Sequence, residues 1–187
     1  AELYPGMGEF RPNNALVEVD GRARTAKLQF EDVKADVLNI VPTMRAAPLA
    51  RQAGLVNAND RWCAVDWLSM ESTAAKGIHV LGDATLSAPL MPKSGHMANQ
   101  HAKQAVAAIL NAFAGRPPNP TPVLMNTCYS FVDDAQVIHV ASVHQYNRDK
   151  RVVEPVAGSG GVSAERSTLE GSYGWAWAQN IWADMLA

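Results

Sequence analysis

Two cysteines in 187 residues, Cys63 and Cys128, with no CxxC and no Cys/His cluster, leave little to build a structural zinc site from. The five histidines are scattered, and His96 and His101, five apart, fall on different helix faces, so no metal ligand set is expected. Charge of one sign is missing too: 16 Lys and Arg against 18 Asp and Glu give a formal net charge of −2. So balanced a chain gives no sign of nucleic-acid or anionic-membrane binding. No apolar run approaches the roughly 20 residues that cross a bilayer. The start, AELYPGMGEF, has no basic stretch followed by an apolar run, so no signal peptide is read in it. Nor is there a GxGxxG: the GSGG at 158–161 lacks the spacing and has no helix directly after it.

What is present is a chain of 48% hydrophobic residues, enough for one full domain or parts of two. The first forty residues read as β-rich. Segments 15–20 and 24–30 flank Asp20-Gly21, a strong hairpin signal, and 34–41 reads as a third strand ending before Pro42. Helical spacing over 45–53, entered at Pro42 and stopped by Gly54, predicts a short helix. Next come an extended stretch at 61–68 and an apolar strand at 78–82. The spacing then predicts a long helix over 94–114, with Ala98, Ala102, Ala105 and Ala108 aligned with Val106, Ile109 and Phe113. So many alanines suit close approach to a sheet or to a bound planar molecule.

GRPPNPTP at 115–122 is the clearest linker. Beyond it 128–133, 136–146 and 151–156 read as strands of an antiparallel sheet. A final helix starts at Ser167, with Glu170 three residues on as a capping box. It carries Leu169, Tyr173, Trp177 and Ile181 on one stripe and Trp175, Trp182 and Met185 on another, so it needs cover on more than one face.

The richest stretch is 78–95, IHVLGDATLSAPLMPKSG. An apolar strand runs into Asp83, and a Pro-Lys-Ser-Gly turn opens the Ala-rich helix. A carboxylate at the end of a strand can accept hydrogen bonds from ligand hydroxyls. The unpaired N–H groups that begin a helix suit an electron-rich or anionic edge. Each element has a plain alternative: Asp83 as the cap of a local turn, and Lys93 beside an ordinary N-cap. Cys128 by itself reads as a buried free cysteine.

Taken together, VLGDATLSAPLMPKSG, NTCYS at 126–130, the Ile40–Pro42 exit and the YGWAWAQNI ending resemble the flavoprotein subunit of flavocytochrome c sulfide dehydrogenase. That family is related to sulfide:quinone oxidoreductases and to the glutathione-reductase-like flavoenzymes. The resemblance implies an α/β protein with an α+β C-terminal part. The chain would be the C-terminal half of a two-Rossmann-domain flavoprotein, closed by a small antiparallel domain ending in a helix. Residues 1–42 would finish the second, nucleotide-domain-like unit, 43–118 would be the returning half of the FAD domain, and 119–187 would cap the flavin and face the cytochrome. The family's GxGxxG half is not in these residues, so an incomplete piece, inactive alone, is expected.

The same resemblance assigns the residues. The cofactor is FAD, with Gly82 and Asp83 at the ribityl chain. Pro92, Lys93, Ser94 and Gly95 would bring N–H groups, and the Lys93 ammonium, to the pyrimidine edge of the ring, where donors stabilise the reduced flavin. Pro42 and Thr43 match the strand exit near the flavin, or else serve a simple helix entry. Cys128 would pair with a cysteine outside this chain; sulfide attack on that disulfide would give a persulfide and pass electrons to FAD. Trp175 and Trp177 would lie between the flavin and a haem, or serve packing in the helix. Cys63 matches no catalytic position. The implied partner is a c-type cytochrome, the substrate sulfide and the location periplasmic, with a membrane partner not expected. Other readings are a quinone acceptor, another thiol substrate, or a non-catalytic fragment whose last helix docks a partner.

Overall fold

The computed structural model describes residues 5–186. The outermost residues of the expected segments 1–42 and 119–187, namely 1–4 and 187, lie outside them. The chain divides into two compact units, Ala1–Thr43 and Met44–Ala187.

The first unit is a three-stranded antiparallel sheet of β1 (Leu16–Asp20), β2 (Thr25–Leu28) and β3 (Asp32–Lys34), in that order. The hairpin expected at Asp20-Gly21 forms, with Asp20 opposite Thr25 across a loop of four residues. Asp20 sets it: Oδ1 accepts the N–H groups of Arg22 and Ala23, both at 2.9 Å, and Arg24 takes the left-handed φ of 53° that closes the turn. The third strand is displaced from the expectation of 34–41. Ala35 N–H donates to Arg24 at 3.1 Å, and beyond it Val37 and Val41 are exposed with nothing to pair against.

The second unit opens with α1 (Pro48–Gln52), shorter than the helix expected over 45–53. Pro48, not Pro42, is the entry. It occupies the first helical position, where a missing N–H costs nothing, and it holds Ala47 extended at ψ 154°. The stop is Gly54, as expected, at φ 71°. A two-stranded hairpin, β4 (Val65–Asp66) with β5 (Glu71–Ser72), follows. The predicted strand at 78–82 does not form a ladder. It lies against this hairpin by single contacts, Ser72 N–H to Ile78 and Val80 N–H to Met70, with one antiparallel bridge between Glu71 and His79. Asp83 therefore sits in a single 3-10 turn, Gly82–Ala84, and not at a strand end.

The long helix α2 (Gly95–Phe113) starts and stops where the spacing placed it, between Ser94 and Ala114. Its buried face differs from the one expected: Met97, His101, Ala105 and Ala108 point inward, whereas Val106, Leu110 and Phe113 are exposed. The linker leads to β6 (Val123–Phe131), β7 (Val137–Asn147), β8 (Val152–Pro155) and β9 (Gly161–Val162). They form one antiparallel sheet in which β7 pairs β6 on one edge and both β8 and β9 on the other. Helix α3 (Thr168–Leu186) ends the chain.

Every sheet among the described residues is antiparallel, with a single parallel bridge between Cys63 and Thr85. The expected α+β C-terminal part, an antiparallel sheet closed by a helix, is therefore present, whereas the α/β arrangement expected before it forms no parallel ladder among the described residues. The core of the second unit joins Trp62, Cys63, Trp67, Met70 and Met91 to Met97 and Ala105 of α2 and to Leu124 and Val153 of the sheet. That packing fixes α2 against β6, and with it the two segments that matter below.

Candidate functional site

Glycine decides how the 82–84 turn meets α2. Gly82 has φ 66°, and a Cβ there would stand 3.1 Å from Ala98 Cβ, so a side chain would be strained in backbone and in contact. The close approach lets Gly82 N–H donate to His101 Nδ1 at 3.1 Å. His101 is only 2% exposed; burial first, and the Lys93 charge second, pull its pKa down to about 4. It is therefore the neutral ring that this bond requires. Its proton lies on Nε2, which has no hydrogen-bond partner among the described residues, and the ring meets Trp67 edge-on at 5.6 Å. Asp83 is exposed, and its carboxylate accepts no hydrogen bond among the described residues. It is a free acceptor beside a rigid turn.

The MPKSG turn contributes unequally. Pro92 has no N–H and can only shape the chain. Lys93 turns inward: Nζ donates to the carbonyls of Asp83 and Thr85 at 2.8 and 2.6 Å and stands 3.9 Å over the Trp62 ring, and burial lowers its pKa. The ammonium staples the Asp83 turn instead of reaching outward. Ser94 is the N-cap, its Oγ accepting Met97 N–H at 3.0 Å. The N–H groups of Gly95 and His96, first in the helix, have no intrahelical acceptor to turn to. They are the donors left to a ligand. The crevice between Asp83, Lys93, Met97 and His101 is too tight for a water molecule, so these groups offer a surface and not a cavity.

Helix α2 and strand β6 bring the second motif to the first. Ser94 Oγ–H donates to Asn126 Oδ1, and Asn126 Nδ2–H reaches Cys128 Sγ at 3.5 Å. A strand alternates faces, so Leu124, Asn126 and Cys128 share one face of β6, opposite His144, Ser142 and Val140 on β7. The first two are buried under α2; Cys128 is half-buried, and beyond it Val140 and Val162 are exposed. The thiol thus stands where the covered part of the sheet gives way to an open apolar part. Both cysteines are free thiols. Cys63 is fully buried, its backbone bonded to Ala84 and Leu86, and burial pushes its thiol up.

Of the two tryptophans singled out, Trp177 is bound into this region and Trp175 is not. His96 Nδ1 accepts Thr127 N–H at 3.0 Å, and rings then follow from His96 to Trp177, Tyr129 and His139 at 5.4, 5.8 and 6.2 Å. Trp175 stacks on Phe131 at 5.4 Å and is otherwise half exposed. Pro42 and Thr43 end the other compact unit, exposed and outside any helix or strand.

One cluster had no signal in the sequence. Glu170 N–H donates to Ser167 Oγ, half of the expected capping box. Ser167 N–H is taken by Val137, so the Glu170 carboxylate goes elsewhere, accepting Ser163 Oγ–H at 2.6 Å and meeting His139 Nδ1 at 3.1 Å. Those contacts, the serine first, hold its pKa low. Serine and carboxylate both meet the same ring nitrogen, Nδ1, and each other, so the relay of a triad, with hydroxyl and carboxylate on opposite nitrogens of the ring, is not formed. The trio clamps α3 to the sheet; it is not a nucleophilic triad.

Residues 120–186 match the family model described as flavocytochrome c sulphide dehydrogenase, flavin-binding. This bears out the family resemblance over the residues that hold NTCYS and the YGWAWAQNI ending; the motif at 80–95 lies outside the match. The C-terminal part of the chain is similar to the flavin-binding part of that flavoprotein, and FAD is the cofactor that fits it. The residues agree in chemistry: the Asp83 carboxylate suits a hydroxyl chain, and the Gly95 and His96 N–H groups suit the electron-rich edge of a ring.

Proposed function

We propose that this chain forms part of an FAD-dependent enzyme that oxidises sulfide at Cys128 and delivers the electrons to a c-type cytochrome. The observation that carries the reading is the hydrogen-bonded line from Ser94 through Asn126 to Cys128, which ties the turn beginning α2 to the thiol. The family match over 120–186 supports a flavin beside that line.

In this reading Asp83 holds the ribityl hydroxyls, Gly82 lets its turn lie on α2, and Gly95 with His96 presents N–H groups to the ring edge. Ser94 and Pro92 shape that edge, and Lys93 fixes the Asp83 turn from behind. Bound FAD supplies a two-electron acceptor. Cys128 pairs with a cysteine from outside these residues, and sulfide attack opens that disulfide to a persulfide and a thiolate. Trp177, and beyond it Trp175, fill the gap toward the haem. The same proposal includes the wider architecture, the C-terminal half of a two-Rossmann-domain flavoprotein, and a periplasmic location.

The test uses the full-length protein that contains this chain. It should purify yellow, with a flavin absorption band that sulfide bleaches. A colourless protein would overturn the reading. The exposed aromatic face of α3 favours a second reading, a partner-docking segment without its own chemistry, and a colourless protein that still binds a cytochrome would establish it.

A further inference from the structure

We propose that Asn126 is a positioning residue that aims the Cys128 sulfur and steadies its thiolate; the proposal rests on the redox role given to Cys128. Asn126 is only 2% exposed, and its amide is held in one orientation. Ser94 Oγ accepts the Met97 N–H at 3.0 Å as the helix cap, which leaves the hydroxyl proton for Asn126 Oδ1. With Oδ1 engaged, Nδ2 faces the sulfur at 3.5 Å. The reverse bond, Sγ–H to Oδ1, is longer at 3.7 Å and competes with the Ser94 proton.

Among the described residues no other side chain claims the amide. Ser142, directly opposite on β7, directs its Oγ to His144 Nε2 at 3.2 Å. Among the described residues Cys128 has no other hydrogen-bond partner. An N–H donated to sulfur favours the charged, nucleophilic form. A buried amide is costly unless its donors and acceptors are used. Here they join the helix cap to the thiol, so the start of α2 and the sulfur move as one body.

The experiment reads Cys128 alone. The full-length protein is first reduced, so that Cys128 is a thiol, then alkylated with iodoacetamide across pH 6 to 10, and peptide mass spectrometry counts Cys128 separately from Cys63. Asn126→Leu keeps the approximate volume and removes the N–H donor without placing a charge beside the sulfur. It should slow alkylation of Cys128 roughly fivefold at neutral pH, the factor carried by one such hydrogen bond, and move the profile to higher pH. Ser94→Ala leaves Asn126 in place but frees the amide to turn, and should move the profile the same way by less. It carries the test if the leucine variant does not fold. A merely structural role predicts the opposite: looser packing exposes the sulfur, alkylation accelerates, and the profile stays in place. That outcome, or an unmoved profile in folded variants, would overturn the inference. Sulfide bleaching that survives Cys128→Ser would instead sink the redox reading and leave the alkylation result standing.

Discussion

Helices α2 and α3 have the same length, 19 residues each, and meet the second unit in opposite ways. α2 buries Met97, His101, Ala105 and Ala108, a stripe of mixed sizes that fills the space between the β4–β5 hairpin and the sheet. α3 buries Gly171 and Gly174 alone. A Cβ on Gly171 would fall 2.0 Å from the Ala135 carbonyl, and one on Gly174 3.4 Å from the Tyr129 ring. Of its large side chains, Leu169, Tyr173, Trp175, Trp182 and Met185 are more than half exposed, while Trp177 and Ile181 are half-buried. Aromatic content therefore says little about which helix belongs to the core. α2 is held by apolar burial and so can carry a site. α3 is seated by backbone contact, by one ring, Trp177, against His96 and Tyr129, and by polar clamps, Glu170 with Ser163 and His139, and Asp184 with Lys103 and Asn99. Its apolar face is left for something else to cover.

The contrast breaks first at His101 if it is wrong. The folded ring binds a proton less readily than the unfolded one, near 4 against 6.5, so its contribution is intact above 6.5 and lost as pH falls toward 4. Urea melts between pH 7 and 4 should show a loss of about 3 kcal/mol from this residue. In His101→Gln that part of the slope should vanish; an unchanged slope would mean that α2 is not seated through a buried neutral ring. His144, also lowered by burial, adds in the same direction.

Gly171 is the next largest effect. Alanine there must push the Ala135 carbonyl away and should cost about 2 kcal/mol, while Gly174→Ala, in ordinary contact with Tyr129, should stay within about 0.5 kcal/mol. Thermal melts of the two variants separate a helix seated by its backbone from one that merely tolerates glycine. Equal effects would remove the distinction drawn between the helices.

The smallest effect is the most telling for α3. Trp182→Gln should leave stability within about 0.5 kcal/mol, because the ring is exposed, yet weaken any association that uses this face. Analytical ultracentrifugation and a melt of the same sample check both halves. A large loss of stability would show that the face is already covered.

How far the sequence carried the reading follows the same division. α2 was legible because Ser94 and Gly115 mark its ends and its pattern is long. The β6–β7–β8 sheet was legible from its alternating pattern, but β6, expected over 128–133, starts five residues earlier at Val123, and β8 is only four residues long. The stretch at 78–82 was not, because a short apolar run can lie against a hairpin by single bonds as readily as it can pair in a sheet. Lys93 was read as a donor to a ligand, since the sequence could not show that two carbonyls and the Trp62 ring lay within its reach. Asn126 was passed over for the cysteine two residues on. The glycines of α3 carry their meaning only once Ala135 and Tyr129 are opposite them. Asp83 and Cys128 were named from motifs, but what joins their neighbourhoods, Ser94 to Asn126, depends on a contact across 32 residues.

The central claim is that the start of α2 and Cys128 form one flavin-dependent sulfide site, and rapid-mixing spectroscopy of the full-length protein tests it most directly. Sulfide should bleach the flavin band of the wild type, and Cys128→Ser, with flavin content unchanged, should abolish the bleaching. A Cys128→Ser protein that bleaches at the wild-type rate would contradict the account.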